Sequence, residues 1–466
     1  MIKKSFNTWL PTLLICGYSF SDLFGIVTIK ANHPYFQYTG RIDFSVPEKP
    51  VLYWLGTYIK ASFEGSVLVI LLDDKTGQSF YNVFIDEDFD HPRIIDCRAG
   101  SNIYPISATL SDTIHSLLIF RRTEASTGPT KFLGIQLNDG KTLLPPRPRP
   151  EHKLLFYGNS ITCGMGNEAP DNSGDDDLAH ENNFLAYGAM ASRLLNAEYM
   201  CIAKSGIGIM ISWFDMVMSQ YYYRLDPDNP DSHWDFSQYI PDVVVINLFQ
   251  NDSWLIHKLN PEPDSTQIIN AYVNFVREIR GHHPNAFIIC ALGSMDATKP
   301  GSPWPRYIEQ AVAILRTQDH DTNIDTFFFP FDPHWVKHPR VRHHQVMGKN
   351  LADFIQAKMG WSTDVNCSLP LKKPKDFNLL KIYPNPFNSC VAFHYSLHRP
   401  QQVNISIFDI LGRKITELVN AFQNPGNYQI YWNGQIDSEQ TIGSGIYFCK
   451  LEGEDFFSIR KMILLK

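Results

Sequence analysis

The sequence predicts a multidomain chain: an N-terminal β-sandwich, a central α/β domain built on a parallel sheet, and a small C-terminal β-sandwich. Three observations lead there. Proline-dense stretches at 144–150 and 368–386, which cannot continue helices or ladders, divide the 466 residues. Short β-rich runs separated by turn residues fill the segments on the outer side of these stretches. Between them, apolar strand-like runs alternate with helical periodicity. With 44% hydrophobic and 19% charged residues, most of the chain can bury a core.

The elements follow in order. Lys3 and Lys4 precede an apolar stretch at 9–16, and Ser19, Ser21 and Asp22 follow, which reads as a signal peptide over 1–27; a buried N-terminal strand is the alternative. The first domain, 28–145, carries runs such as Tyr53-Trp54-Leu55, 66–71 and 116–120. The second, 151–360, places strands at 153–157, 199–203, 243–248, 287–292 and 326–329; several are continuously apolar, as strands covered on both faces should be. Ile269, Tyr272, Val273, Val276 and Ile279 repeat with helical spacing, with Gly281 as the expected stop, and Tyr307, Ile308, Ala311, Val312 and Leu315 form a second such face. This order implies right-handed crossovers and chemistry at the carboxyl ends of the strands. A linker over 361–380 leads to a third domain, 381–466, with strands near 403–408, 428–432 and 445–451.

Charge and cysteine usage exclude several functions. The net charge of −7 offers no basic excess for phosphates, so no nucleic-acid partner is expected. No apolar run reaches about 18 residues, so no transmembrane segment is expected. The eight cysteines are scattered and form no Cys-x-x-Cys, which points away from zinc; Cys390 with Cys449 is a candidate pair if the protein is exported.

Four blocks can carry chemistry. The first runs from a buried strand into Gly158-Asn159-Ser160; that serine is either a nucleophile above the sheet edge or a helix N-cap. Ala203-Lys204-Ser205-Gly206-Ile207-Gly208 follows a second strand, where glycines let backbone N–H groups approach a ligand or simply make a turn. Asn251 and Asp252 follow a third strand, and the Asn251 amide can donate to an oxyanion or start a turn. Phe331-Asp332-Pro333-His334-Trp335-Val336-Lys337-His338-Pro339 follows a fourth, and a histidine there can act as a base near pH 7 or be an idle loop residue. His334 and His338 have i,i+4 metal spacing, but Pro339 breaks the helix that a metal pair would need. The acidic run Asp171 to Asp177 lacks the later Gly and Glu of a calcium loop and reads as a solvated loop.

These blocks, in this order, resemble the SGNH (GDSL-like) hydrolases. Gly158 to Glu168, with its Cys163-Gly164-Met165-Gly166-Asn167-Glu168 extension, is similar to the first block of carbohydrate esterase family 2. The likeness covers about 30 to 360 and extends to Pro34 to Phe44 and Phe132-Leu133-Gly134-Ile135. It implies an N-terminal jelly roll, an SGNH hydrolase domain, and the roles that follow. Ser160 becomes the nucleophile and His338 the general base. The Gly206 N–H and the Asn251 amide form the oxyanion hole. The implied reaction is acyl transfer through an acetyl-enzyme, with no cofactor and no metal. The chain departs from the family pattern at Asn159, usually Asp, and at Phe249, usually Gly. The acid that commonly stands two or three residues before the base is also missing, since Trp335 and Val336 stand there. The expectation is a Ser–His dyad with the imidazole held by a backbone carbonyl, Asp332 being the weaker candidate orienter. His334, His343 and His344 are rival bases, His344 being read as structural. Trp304, in a Pro-flanked loop, is either a sugar-stacking rim residue or core.

The tail is similar to the C-terminal sorting domain of type IX secretion, on the strength of Ile382 to Asn388, Phe408 to Arg413, Gly443 to Phe448 and Lys461 to Lys466. The resemblance implies an Ig-like sandwich and export by that machinery to the surface or medium of a Gram-negative bacterium. An accessory sugar-binding sandwich is the alternative. The expected function is removal of O-acetyl groups from plant polysaccharide, xylan or mannan. A catalytically impaired glycan-binding protein and an esterase of different acyl range are the competing readings.

Overall fold

The computed structural model describes residues 25–361, apart from 172 and 332–336, and most of 381–465. The expected signal peptide therefore lies almost wholly outside the described residues, as do Asp332, His334 and Cys390. Pairing begins at Ile26, ahead of the expected boundary at 28, because Ile26–Lys30 runs antiparallel to Thr130–Asn138.

The N-terminal part holds two six-stranded sheets. One centres on Leu68–Asp74 and Thr130–Asn138, the other on Tyr58–Glu64 and Ile114–Arg121. Alternation explains their pairing. Leu68, Ile70 and Leu72 from one sheet meet Ile59, Phe63, Val83 and Ile119 from the other in a shared apolar core.

The second sheet also has an outward apolar face. Phe84 and Phe120 pack on Phe184 of the central domain, with ring centroids 4.4 and 5.2 Å apart. Arg41 is fully buried in the same seam, donating to the Arg224 carbonyl at 2.8 Å between Trp54 and Trp234. The proline-rich connector is tied to its surroundings as well: Gln37 donates to the Arg147 carbonyl at 2.7 Å, and Arg149 donates to the Tyr38 carbonyl at 2.8 Å and reaches Glu198. Sandwich and α/β domain accordingly form one compact unit, 1–363, with 364–466 as the second.

The central sheet has five parallel strands in the order Ala197–Ala203, His152–Gly158, Val243–Asn247, Phe287–Leu292 and Ile324–Phe328. Val243–Asn247 is buried along its whole length, which only a strand covered on both faces achieves. The order places the first strand of this domain, His152–Gly158, between its second and third, so the connections leave it in opposite directions. Sheets of this order place their chemistry at that switch point, beyond the strand carboxyl ends.

Helix Ser265–His282 starts at a capping box of Asp264 and Gln267 and buries the predicted face. It passes through Gly281, the expected stop, and ends at His283, whose backbone N–H bonds back to Ile279 and Arg280. Among the described residues no helix is long and apolar enough to cross a membrane.

The C-terminal unit has a three-stranded and a four-stranded antiparallel sheet. They close over a core that includes Val391, Phe393, Ile405, Ile407, Trp432 and Leu451. Cys449 is a buried free thiol in it.

Candidate active site

The strand register assembles the site. Gly158, at the end of the first strand, pairs with Ala203 on one side and Asn247 on the other. The three segments that follow, carrying Ser160, Gly206 and Asn251, therefore leave the sheet at one level. Asn159 caps the short helix Ser160–Cys163, its Oδ1 accepting from the Ile161 N–H at 3.1 Å. The amide thus supplies the cap that an aspartate would, without the charge.

Ser160 is 5% exposed, and its Oγ lies 2.8 Å from His338 Nε2. His338 comes from just before helix Val341–Met359. On the other side of the ring, Nδ1 lies 2.9 Å from Asp175 Oδ2, which also accepts the His338 backbone N–H at 3.2 Å. A carboxylate there fixes the tautomer: Nδ1 donates, Nε2 is left as acceptor, and the Ser160 hydroxyl donates to it. Arg340 completes the chain, donating to Asp175 Oδ1 at 2.6 Å and to the Gly166 carbonyl at 2.6 Å. Burial works against the Asp175 charge, but the hydrogen bonds from His338 and Arg340 prevail and hold its carboxyl well below the usual carboxylate range.

Asp175 thus gives the ring a side-chain carboxylate partner, where the sequence pointed first to a backbone carbonyl; the weaker candidate, Asp332, lies outside the described residues. Sequence reasoning passed over Asp175 because it sits in the run Asp171 to Asp177, which reads as solvated turn chemistry. The sole local hint was the density of acids soon after the nucleophile.

The oxyanion candidates are also held. Gly206 has φ +83°, a left-handed conformation that favours glycine, and its carbonyl accepts the Trp213 N–H at 3.1 Å. Asn251 is buried; its Nδ2 donates to the Ile207 carbonyl at 2.8 Å and its Oδ1 accepts from Trp213 Nε1 at 3.1 Å, which sets the amide's orientation. Nδ2 carries two hydrogens, of which Ile207 takes one.

Relatives of known type share this framework. Residues 38–147 match the carbohydrate esterase 2 N-terminal family, and 381–465 match the secretion system C-terminal sorting domain. A solved family two carbohydrate esterase from Clostridium thermocellum, in complex with cellohexaose, aligns at 30% identity and a TM-score of 0.64, covering 70% of this chain and 100% of that one. The chain belongs to carbohydrate esterase family 2. Among curated proteins, the cellulase/esterase CelE of Acetivibrio thermocellus is 30% identical over 72% of this chain, which spans 41% of that relative's length. An acetylxylan esterase / glucomannan deacetylase of Cellvibrio japonicus is 25% identical over 75% of this chain and 96% of its own.

Other residues of this carbohydrate esterase family 2 member support the site from behind. Asp252 is fully buried and accepts from the backbone N–H groups of Ile209, Met210 and Ile211 at 3.1, 2.7 and 3.2 Å. A Cβ on Gly208 would meet the Ile211 carbonyl oxygen at 2.0 Å, so this loop closes only with glycine there. Burial pushes the Asp252 carboxyl up to about 6, although these N–H bonds favour its ionised form.

His344 is fully buried; its Nδ1 accepts the Tyr187 N–H at 3.1 Å, and burial lowers its pKa to about 3, so it stays neutral away from Ser160. His343 Nδ1 accepts the Arg340 N–H at 3.1 Å at the start of its helix.

Trp304 requires a correction. It is 6% exposed at the start of helix Trp304–Gln318, with its ring edge-on to Phe249 at 5.0 Å, and it therefore packs in the core away from any open rim. Phe249 explains why. Its φ of +80° turns the ring inward between Tyr272 and Trp304. The exposed aromatic beside the site is Trp213, 58% exposed. Among the described residues no group of three or more metal-ligating side chains is present.

Proposed function

We propose that the protein is a serine esterase that removes O-acetyl groups from plant cell-wall polysaccharide, xylan or mannan. The observation that carries this reading is the continuous hydrogen-bonded line from Ser160 Oγ through His338 to Asp175, 2.8 and 2.9 Å per link. His338 Nε2 takes the Ser160 proton as Oγ attacks the acetyl carbonyl carbon. The resulting oxyanion faces the Gly206 N–H and the Asn251 amide. As the tetrahedral intermediate collapses, His338 returns the proton to the departing sugar oxygen and leaves an acetyl-Ser160. Water, deprotonated by the same nitrogen, then releases acetate. Each oxyanion donor lowers the barrier by about 3–4 kcal/mol, and the base contributes about 10²–10⁴-fold.

The exposed Trp213 indole, with its N–H on Asn251, offers a face on which a sugar ring can stack beside the acetyl group. The curated relatives' acetylxylan and glucomannan activities and the cellohexaose complex support a β-linked polysaccharide as substrate. In finer detail we read the N-terminal sandwich as a jelly roll. We read the C-terminal unit as an Ig-like sorting domain that directs type IX export to the surface or medium of a Gram-negative bacterium.

Hydrolysis of 4-nitrophenyl acetate and acetylated xylan by the full chain, beside Ser160→Ala, tests the reading. Equal low rates for both proteins would favour a glycan-binding role instead.

A further inference from the structure

The oxyanion loop is held from outside its own domain. Between strands Ile114–Arg121 and Thr130–Asn138 the sandwich makes a turn that carries Arg122 and Glu124 into the α/β domain. Glu124 is buried, and its Oε2 accepts the backbone N–H of Ser205 at 3.0 Å. Ser205 immediately precedes Gly206. A local turn bond from the Ile207 N–H to the Lys204 carbonyl, 3.2 Å, spans Ser205 and Gly206, while the ties from the Trp213 N–H, Asn251 and Asp252 meet the loop at Gly206 or beyond it. Lys204 is fixed by its own N–H to the Gly158 carbonyl at 3.3 Å. Glu124 thus adds a side-chain tie between the sheet and the donor, on the residue just before Gly206.

The carboxylate is itself braced. The Glu124 N–H donates to Glu181 Oε1 at 2.7 Å. Arg122 donates to the Glu181 and Ala179 carbonyls at 2.9 and 2.8 Å, and its own carbonyl accepts the Asn183 N–H at 3.0 Å.

Resting on the esterase reading, we propose that Glu124 is a positioning residue for the oxyanion hole. By holding the Ser205 N–H it fixes the peptide unit that adjoins, through the Ser205 Cα, the one presenting the Gly206 N–H, so the N-terminal sandwich is a working part of the active site and not a detachable module. An oxyanion donor acts on the transition state and hardly at all on bound ester, so the effect belongs in kcat.

The full chain is assayed on 4-nitrophenyl acetate as wild type, Glu124→Ala, Glu124→Asp and Glu124→Gln, with Tm measured for each. Glu124→Ala lowers kcat about tenfold or more while KM stays within about twofold. Glu124→Gln keeps an acceptor oxygen at the same reach and recovers most of the loss. Glu124→Asp keeps the charge but falls one methylene short and stays slow, which decides the matter should the alanine variant not fold. A folded Glu124→Ala or Glu124→Asp with unchanged kcat, or a loss confined to KM, overturns the inference and leaves the esterase reading standing. An inactive wild type removes both.

Discussion

Asp175 Oδ2 and His338 Nδ1 lie 2.9 Å apart although 163 residues separate them in the chain. The acid of the candidate triad reaches the base from the loop behind the nucleophile, and Arg340 ties that loop to the start of helix Val341–Met359. Nucleophile, base and acid therefore depend on two loops closing over one strand end.

Replacing Asp175 by Asn removes the charge that stabilises imidazolium and presents an N–H where Nδ1 needs an acceptor. We expect kcat on 4-nitrophenyl acetate to fall by about 10²–10⁴-fold with KM little changed. A loss below about threefold would mean that the ring needs no carboxylate, as a simple Ser–His dyad would have it.

The proposed mechanism gives Trp213 two separable duties, holding Asn251 and stacking on a sugar ring. Trp213→Phe keeps a ring but drops the N–H on Asn251 Oδ1. It should lower kcat on both a small ester and acetylated xylan while leaving KM for the polymer near wild type. Trp213→Ala should in addition raise the polymer KM by about two- to twelvefold, the scale of one stacking contact of about 0.5–1.5 kcal/mol. Equal polymer KM values for the two variants would take the sugar platform away from Trp213.

Phe249 sets strain against burial. Its left-handed φ of +80° costs about 1–3 kcal/mol, which glycine would relieve. Deleting the buried ring between Tyr272 and Trp304 costs about 3–5 kcal/mol. Burial wins, so Phe249→Gly should destabilise the fold in urea despite the better backbone fit; a gain in stability would show that the ring packs poorly.

Asp252 gives a pH signature of definite sign. Burial raises its carboxyl from 3.8 to about 6, so the folded state binds this proton more readily than the unfolded chain. Its contribution is full below about pH 4 and is lost as pH rises through about 6, a swing of roughly 3 kcal/mol. Wild-type stability relative to Asp252→Asn should therefore climb by that order as pH falls from 7 to 4. A flat difference would mean that the three backbone N–H groups offset the burial in full.

Much of this was legible in the residues alone. Continuous apolar runs marked the parallel strands, since a strand covered on both faces has no polar side, and helical spacing marked Ser265–His282 and Trp304–Gln318. Strand ends marked the four blocks that could carry chemistry, and the resemblance to carbohydrate esterase family 2 pointed within them to Ser160, Gly206, Asn251 and His338. Local pattern reports which side chains are buried and with what period, and this goes no further than the neighbouring turns.

The tertiary structure decided what depends on distant segments meeting. Asp175 looks like a solvated turn residue until Arg340 and His338 close on it, and Glu124 looks like any exposed acid until the sandwich turn meets the glycine loop. Trp304 looks like a rim aromatic until Phe249 turns inward and covers it. The sequence by itself determined the layers and the residue types at the strand ends. That Asp175 meets His338, and that Glu124 of the sandwich meets Ser205, depends on loop closure, because such pairings cost chain entropy that only the assembled core repays.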